Sequence, residues 1–98
     1  MSTTNIPKVS NMTSPRTGSP VANQFEIRTD GAVFFQSYDT IIAVIKHDDM
    51  GDREIVLDKD SWDYSTTTGK YRNQFLGEGI AETRSKIKDG TYKLEDLN

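Results

Sequence analysis

The chain has no cysteine, one histidine and three prolines among its 98 residues. Without cysteine there is no disulfide framework, no thiolate zinc site and no cysteine nucleophile. A lone histidine, His47, excludes a multi-histidine metal centre and the two-histidine metalloprotease motif. Long apolar runs are missing too. The longest, Ile41 to Ile45, falls far short of the about 18 residues that a membrane span needs. The first residues are rich in Ser, Thr and Asn without an apolar segment, so no secretory signal and no membrane are expected, and the cytoplasm is the expected setting.

Charge is divided along the sequence. The net value is −3, made of +2 over residues 1–22, −6 over 23–64 and +1 over 65–98. A mildly acidic whole gives no bulk argument for nucleic-acid binding. Hydrophobic residues are 34% of the chain, low for a fully globular protein, so part of it is expected to lie outside the core. Residues 1–22 hold all three prolines and scattered apolar residues without period. They read as a flexible N-terminal arm, and residues 23–98 as a single compact domain.

Residues 24–30 alternate, with Phe25, Ile27 and Thr29 on one face. Asp30-Gly31 then suits a tight turn that tolerates positive φ, and residues 32–38 read as the returning strand. The segment Ile41-Ile42-Ala43-Val44-Ile45 is apolar on both faces and reads as a central strand. Residues 54–57 read as a fourth. Ser65 to Thr68 supply hydroxyls that can cap a helix, Tyr71 and Phe75 lie four apart, and Gly77 suits a left-handed stop, which predicts a helix over 66–76. Ile80 and Ile87 predict a second over 81–89. Tyr92 and Leu94 suit a short last strand. The expected fold is α+β: a four-stranded antiparallel meander, two short helices and a C-terminal strand. The expected core is Phe25, Ile27, Val33, Phe35, Ile41, Ala43, Ile45, Ile55, Leu57, Tyr71, Phe75, Leu76, Ile80, Ile87 and Leu94.

Several strings here are specific. They are Phe34-Phe35-Gln36-Ser37-Tyr38, Ile41-Ile42-Ala43, Trp62-Asp63-Tyr64-Ser65, Thr67-Thr68 and Lys70-Tyr71-Arg72-Asn73-Gln74-Phe75-Leu76-Gly77-Glu78, with Asp96-Leu97-Asn98 at the end. From about residue 23 onward the chain resembles an uncharacterised family of small phage and prophage proteins. The resemblance implies a phage or mobile-element origin and a compact α+β domain. It carries over no activity.

Candidate chemistry is sparse. Asp48, Asp49, Asp52, Glu54 and Asp58 could offer oxygens to a hard cation, but their spacing does not match a calcium loop, and a solvated turn is the simpler reading. Asp58, Asp60 and Asp63 are close enough to share a proton, as such residues are in any chain with 15 acids. His47 lacks an orienting partner and a nucleophile. The segment worth most is the helix start. Free N–H groups there attract anions, and Ser65, Thr67 and Thr68 add hydroxyls. Lys70 and Arg72 add charge, while Trp62, Tyr64 and Tyr71 could stack on bases. Arg84, Lys86 and Lys88 extend the patch if the second helix lies alongside. The plainer alternative is a well-capped helix with core aromatics and a solvated basic face.

The expected function is therefore that of a non-enzymatic accessory protein binding an unknown protein complex of host or phage. The alternatives are a nucleic-acid-binding module built on residues 65–72, and a virion component whose arm orders against neighbouring subunits. No catalytic set, metal or cofactor is expected.

Overall fold

The structure is a computed structural model that describes residues 6–48 and 50–98. Its elements in chain order are β1 (Lys8–Thr13), β2 (Pro20–Arg28), β3 (Ala32–Ser37), β4 (Thr40–His47), β5 (Arg53–Asp58), α1 (Thr66–Leu76), α2 (Ile80–Lys88) and β6 (Lys93–Glu95). The six strands form one sheet in sequence order, antiparallel from β1 to β5, with β6 parallel to β5. A parallel return needs a crossover longer than a hairpin turn, and the two helices supply it. The class is α+β. The expected four-stranded meander is corrected to five strands followed by a sixth.

The additional strand comes from the segment read as an arm. β1 pairs with β2 from Lys8↔Arg28 to Thr13↔Pro20, and Met12 is buried at 4% exposure. Residues 8–13 and 20–22 therefore belong to the sheet, and residues 1–5 lie outside the described residues. β1 shows no alternation because it is an edge strand, exposed at five of its six positions. Its order comes from backbone pairing rather than from burial.

Hairpin chemistry sets the other registers. Asp30-Gly31 makes the β2–β3 turn, closed by Thr29 N–H to the Ala32 carbonyl at 2.9 Å, and neither residue needs a positive φ. β3 and β4 slip register between Phe35 and Gln36, where Ile42 is the extra residue. The bulge turns Ile42 and Ala43 toward one face, and both are fully buried in the core. That face carries the helices. Phe35, Ile42, Ala43, Ile55 and Leu57 meet Tyr71 and Tyr92 there, with Trp62, Phe75, Leu76 and Ile87 packed around them. The Phe35 and Phe75 rings are 5.7 Å apart.

The other face carries no helix. Across it runs the row Val9↔Ile27↔Phe34↔Val44↔Val56. Burial is complete at Val44 and Val56, partial at Phe34 and Ile27, and lost at Val9, which is 61% exposed. Several expected core residues are corrected accordingly. Phe25 and Ile27 lie half-buried on the helix-free side, Ile41 yields the core to its neighbour Ile42 across the bulge, and Leu94 is exposed on the edge strand β6.

The helices match their sequence signals. Ser65 caps α1, its Oγ accepting from Thr68 N–H at 3.1 Å, and Gly77 ends the helix at φ 74°. Gly90 follows α2 at φ 88°. Asn98 extends the sheet. Its Oδ1 accepts from Ile41 N–H at 2.8 Å and its Nδ2 donates to the Ile41 carbonyl at 3.0 Å, so a side-chain amide continues the ladder where β5 has ended.

Replacing Phe35 by Ala removes the ring at the centre of this packing. The expected cost is about 3–5 kcal/mol, read as a lower midpoint in urea denaturation with an unchanged slope.

Candidate functional site

The predicted site residues fall into three groups. The first is inside the molecule. Arg72, expected as a free cation on the helix, is 1% exposed. Its Nη1 donates to the Trp62 carbonyl at 2.7 Å and to Asp63 Oδ1 at 3.2 Å, and its Nη2 donates to Asn73 Oδ1 at 2.9 Å. The guanidinium lies 5.3 Å from the Trp62 ring centroid. It packs against Gly69, where a Cβ would rest in ordinary van der Waals contact at 3.5 Å from Nη2 and 3.6 Å from Nη1. Tyr71 is core, and Thr68 is fully buried with its hydroxyl 3.0 Å from that of Ser37 on β3. Arg72, Tyr71 and Thr68 are therefore corrected from contact residues to packing residues. A helix with a free basic face would have looked the same in sequence. What was missed is that the turn before α1 brings Asp63 and the Trp62 carbonyl back onto the helix.

The second group is paired at the surface. Arg84 Nη2 reaches Asp63 Oδ2 at 3.1 Å, so α1 and α2 share one carboxylate. Lys86 Nζ reaches Glu78 Oε1 at 2.7 Å. That same carboxylate, with a side chain only 5% exposed, accepts from the Thr83 hydroxyl at 2.7 Å and the Tyr92 hydroxyl at 2.9 Å. Burial pushes the Glu78 carboxyl up, but hydrogen bonds from Lys86, Thr83 and Tyr92 outweigh it and hold the group below the ordinary glutamate range. The Glu78 hydrogen bond raises Lys86 above the usual lysine value. Burial, then Glu78, raises Tyr92.

The third group faces water. Ser65 spends its hydroxyl on the cap, while Tyr64, Thr67, Lys70 and Lys88 are exposed. Lys70 sits 5.4 Å over the Tyr71 ring. The first turn of α1 holds no acidic residue. Two carboxylates thus hold three of the five predicted cations, Arg72, Arg84 and Lys86, while Lys70 and Lys88 stand exposed.

The acidic candidates are separated as well. Asp48 Oδ1 accepts from the Met50 and Asp52 N–H groups, both at 2.9 Å, and so closes its own turn. Glu54 pairs with Lys93 at 2.9 Å. A shallow cleft of about 300 Å³ beside this turn is lined by both signs of charge, with Lys46, His47 and Arg53 against Asp48, Asp52 and Glu54. Asp49 lies outside the described residues. Among the described residues no group of three or more acids and histidines could hold a metal ion, and no helix is long and apolar enough to cross a membrane. Asp58, 2% exposed, accepts from the Ser61 hydroxyl and from the N–H groups of Asp60 and Leu97. Burial raises its carboxyl, and those hydrogen bonds, together with Asn98, more than reverse the shift. Asp60 and Asp63 point to other partners, Lys59 and the two arginines.

One residue stands out that the sequence reading passed over. Tyr38 is the first of two residues between the paired Ser37 and Thr40, and it has φ 57°. Its N–H donates to the carbonyl of Asn23, itself at φ 67°, at 2.7 Å, and its carbonyl accepts from Gln36 Nε2 at 2.7 Å. The ring is 54% exposed. Ser37, the residue before it, is bonded to Thr68, which sets this turn against the first turn of α1. The spacing of Ser37 and Thr40 around a two-residue loop was the available signal.

The chain belongs to the family of unknown function DUF8033, whose profile matches residues 8–91. No curated protein and no solved structure matches it.

Two predictions follow from the paired charges. Arg72→Met removes the donor to the Trp62 carbonyl and uncouples Asp63 from α1. The expected loss is about 2–3 kcal/mol, because hydrogen bonds to a charged group are involved, again read by urea denaturation. Glu78 is held below its unfolded value, so its contribution is complete above the ordinary glutamate range and is lost as pH falls through the lower folded value. Glu78→Gln should flatten the acid limb of a melting-temperature profile and lower stability at neutral pH. An acid limb identical to that of the wild type would exclude this role.

Proposed function

We propose that the chain is a non-enzymatic accessory protein of phage or prophage origin that binds a protein complex of the phage or its host in the host cytoplasm. Its docking tip is the Tyr38 turn beside the start of α1. The origin is supported by the strings between Phe34 and Glu78 that resemble such proteins.

The observation that carries the docking reading is the backbone of Tyr38. A left-handed conformation costs a bulky residue about 1–2 kcal/mol relative to glycine. The half-exposed ring returns little of that cost to the core. Strain of this kind persists where the side chain acts outside the molecule. Tyrosine is suited to that role, being large, rigid and polar at one end. Tyr64, 53% exposed, adds a second aromatic next to the Ser65 cap.

The two alternatives gain no comparable support. A nucleic-acid module needs free cations, and of the five in the patch Arg72, Arg84 and Lys86 are held by Asp63 and Glu78, which leaves Lys70 and Lys88. A virion component anchored by an arm needs a free arm, and residues 8–13 are a strand of the sheet.

Tyr38→Gly is the test. The variant should be more stable than the wild type by about 1 kcal/mol and should lose capture of the partner from phage-infected host lysate. Equal capture by both proteins would sink the proposal. So would a gel shift at low salt that disappears steeply as salt rises, since that signature belongs to phosphate binding.

A further inference from the structure

We infer that β1 is the interface of a symmetric dimer, in which two copies pair their β1 strands antiparallel with Val9 opposite Val9 on the two-fold axis. The inference does not depend on the Tyr38 tip and assigns a different surface.

The starting point is an edge left open among the described residues. β1 pairs with β2 on one side only, and it ends the sheet. Edge strands in soluble proteins are usually shortened, charged or broken by bulges. Here Pro7 stands before the strand and the register slips between Asn11 and Thr13 in its second half. Between those breaks lies an undisturbed stretch, Lys8 to Asn11, with a single charge. Ile6 and Val9, 68% and 61% exposed, put two large apolar side chains at this edge.

The occupant is argued from what the edge itself presents. Directly opposed residues in an antiparallel pair share a face. The apolar row on the helix-free side runs Val56–Val44–Phe34–Ile27–Val9 and stops, exposed, at Val9. An axis through Val9 sets a second such row against the first. The result is one apolar stripe across both sheets, and the exposed end of each row is covered by the other. Charge agrees with this register. Lys8 faces Ser10 of the second copy rather than a second lysine. On that line the next residue inward is Glu26, opposite Ser10 in β2. The serine is small, so the lysine can extend over it toward the carboxylate. That carboxylate already holds Arg28 at 2.9 Å. Surfaces that complement themselves about a two-fold axis close into a dimer and do not propagate. The opposite edge, β6, offers only three residues.

Sedimentation of the full chain over a range of concentrations tests the inference. The wild type should approach twice the monomer mass, and Val9→Lys, which sets two ammonium groups face to face, should sediment as monomer with an unchanged far-UV circular dichroism spectrum. A second measurement uses the absence of cysteine. Opposed residues in an antiparallel pair have Cα atoms about 4.5–5.5 Å apart, within disulfide range. Val9→Cys should therefore oxidise to a covalent dimer. Asn11→Cys should not, because in this register its two copies lie more than about 13 Å apart. A wild type that stays monomeric throughout, a dimer untouched by Val9→Lys, or crosslinking through residue 11 in place of residue 9 would each overturn the inference.

Discussion

The return of the chain from β5 to β6 depends on the Glu78 carboxylate. Taking an ionised group out of water costs several kcal/mol unless donors replace the water. Here three donors do so, from Thr83 and Lys86 on α2 and from Tyr92 at the foot of β6. One side chain therefore fixes where α1 ends, how α2 leans back and where the last strand begins. The Lys86 ammonium also lies 5.3 Å over the Tyr92 ring, so the same cation serves both partners. The parallel pairing of Val56 with Lys93 and Leu57 with Leu94 is the outcome of this clasp as much as of backbone bonding.

Asp63 plays the matching part at the other end of the helical layer. It receives the buried guanidinium of Arg72 and the exposed one of Arg84. Between them, the two carboxylates hold three of the five cations on the helices. The polar cost is met inside the domain, and the recognition proposed above rests on side chains that contribute little to folding. Tyr38 is such a residue, since its backbone strain weakens the hairpin it belongs to and its ring stands largely in water. The division is physical: groups that hold the layers together are paired, and the exposed Tyr38 and Tyr64 are aromatic.

Much of the fold was legible because local signals were strong. The Ser65 cap, the Tyr71 and Phe75 spacing and Gly77 fixed α1 to the residue, and Asp30-Gly31 placed the first hairpin. β1 was not legible, because an edge strand that buries only Met12 has no hydrophobic period to read. The substitution of Ile42 for Ile41 in the core follows from a bulge, which has no composition signature in a run that is apolar at every position. The candidate site was misread for a related reason. A basic residue four positions after Thr68 looks solvent-facing until the preceding turn supplies a carboxylate, and that turn, residues 58–64, had no periodic pattern. Whether Arg72 faces in or out is decided by contacts ten residues away in sequence.

The Asn98 amide has a chemical consequence. It works as a rung of the sheet because it offers an acceptor to the Ile41 N–H and a donor to the Ile41 carbonyl at once. Hydrolysis of that amide to the acid would replace the donor with a second oxygen and set negative charge against the carbonyl. Slow deamidation during storage would thus release Asn98 from Ile41, next to the Leu97 N–H that Asp58 holds. The atom at which such ageing would act is Nδ2 of Asn98.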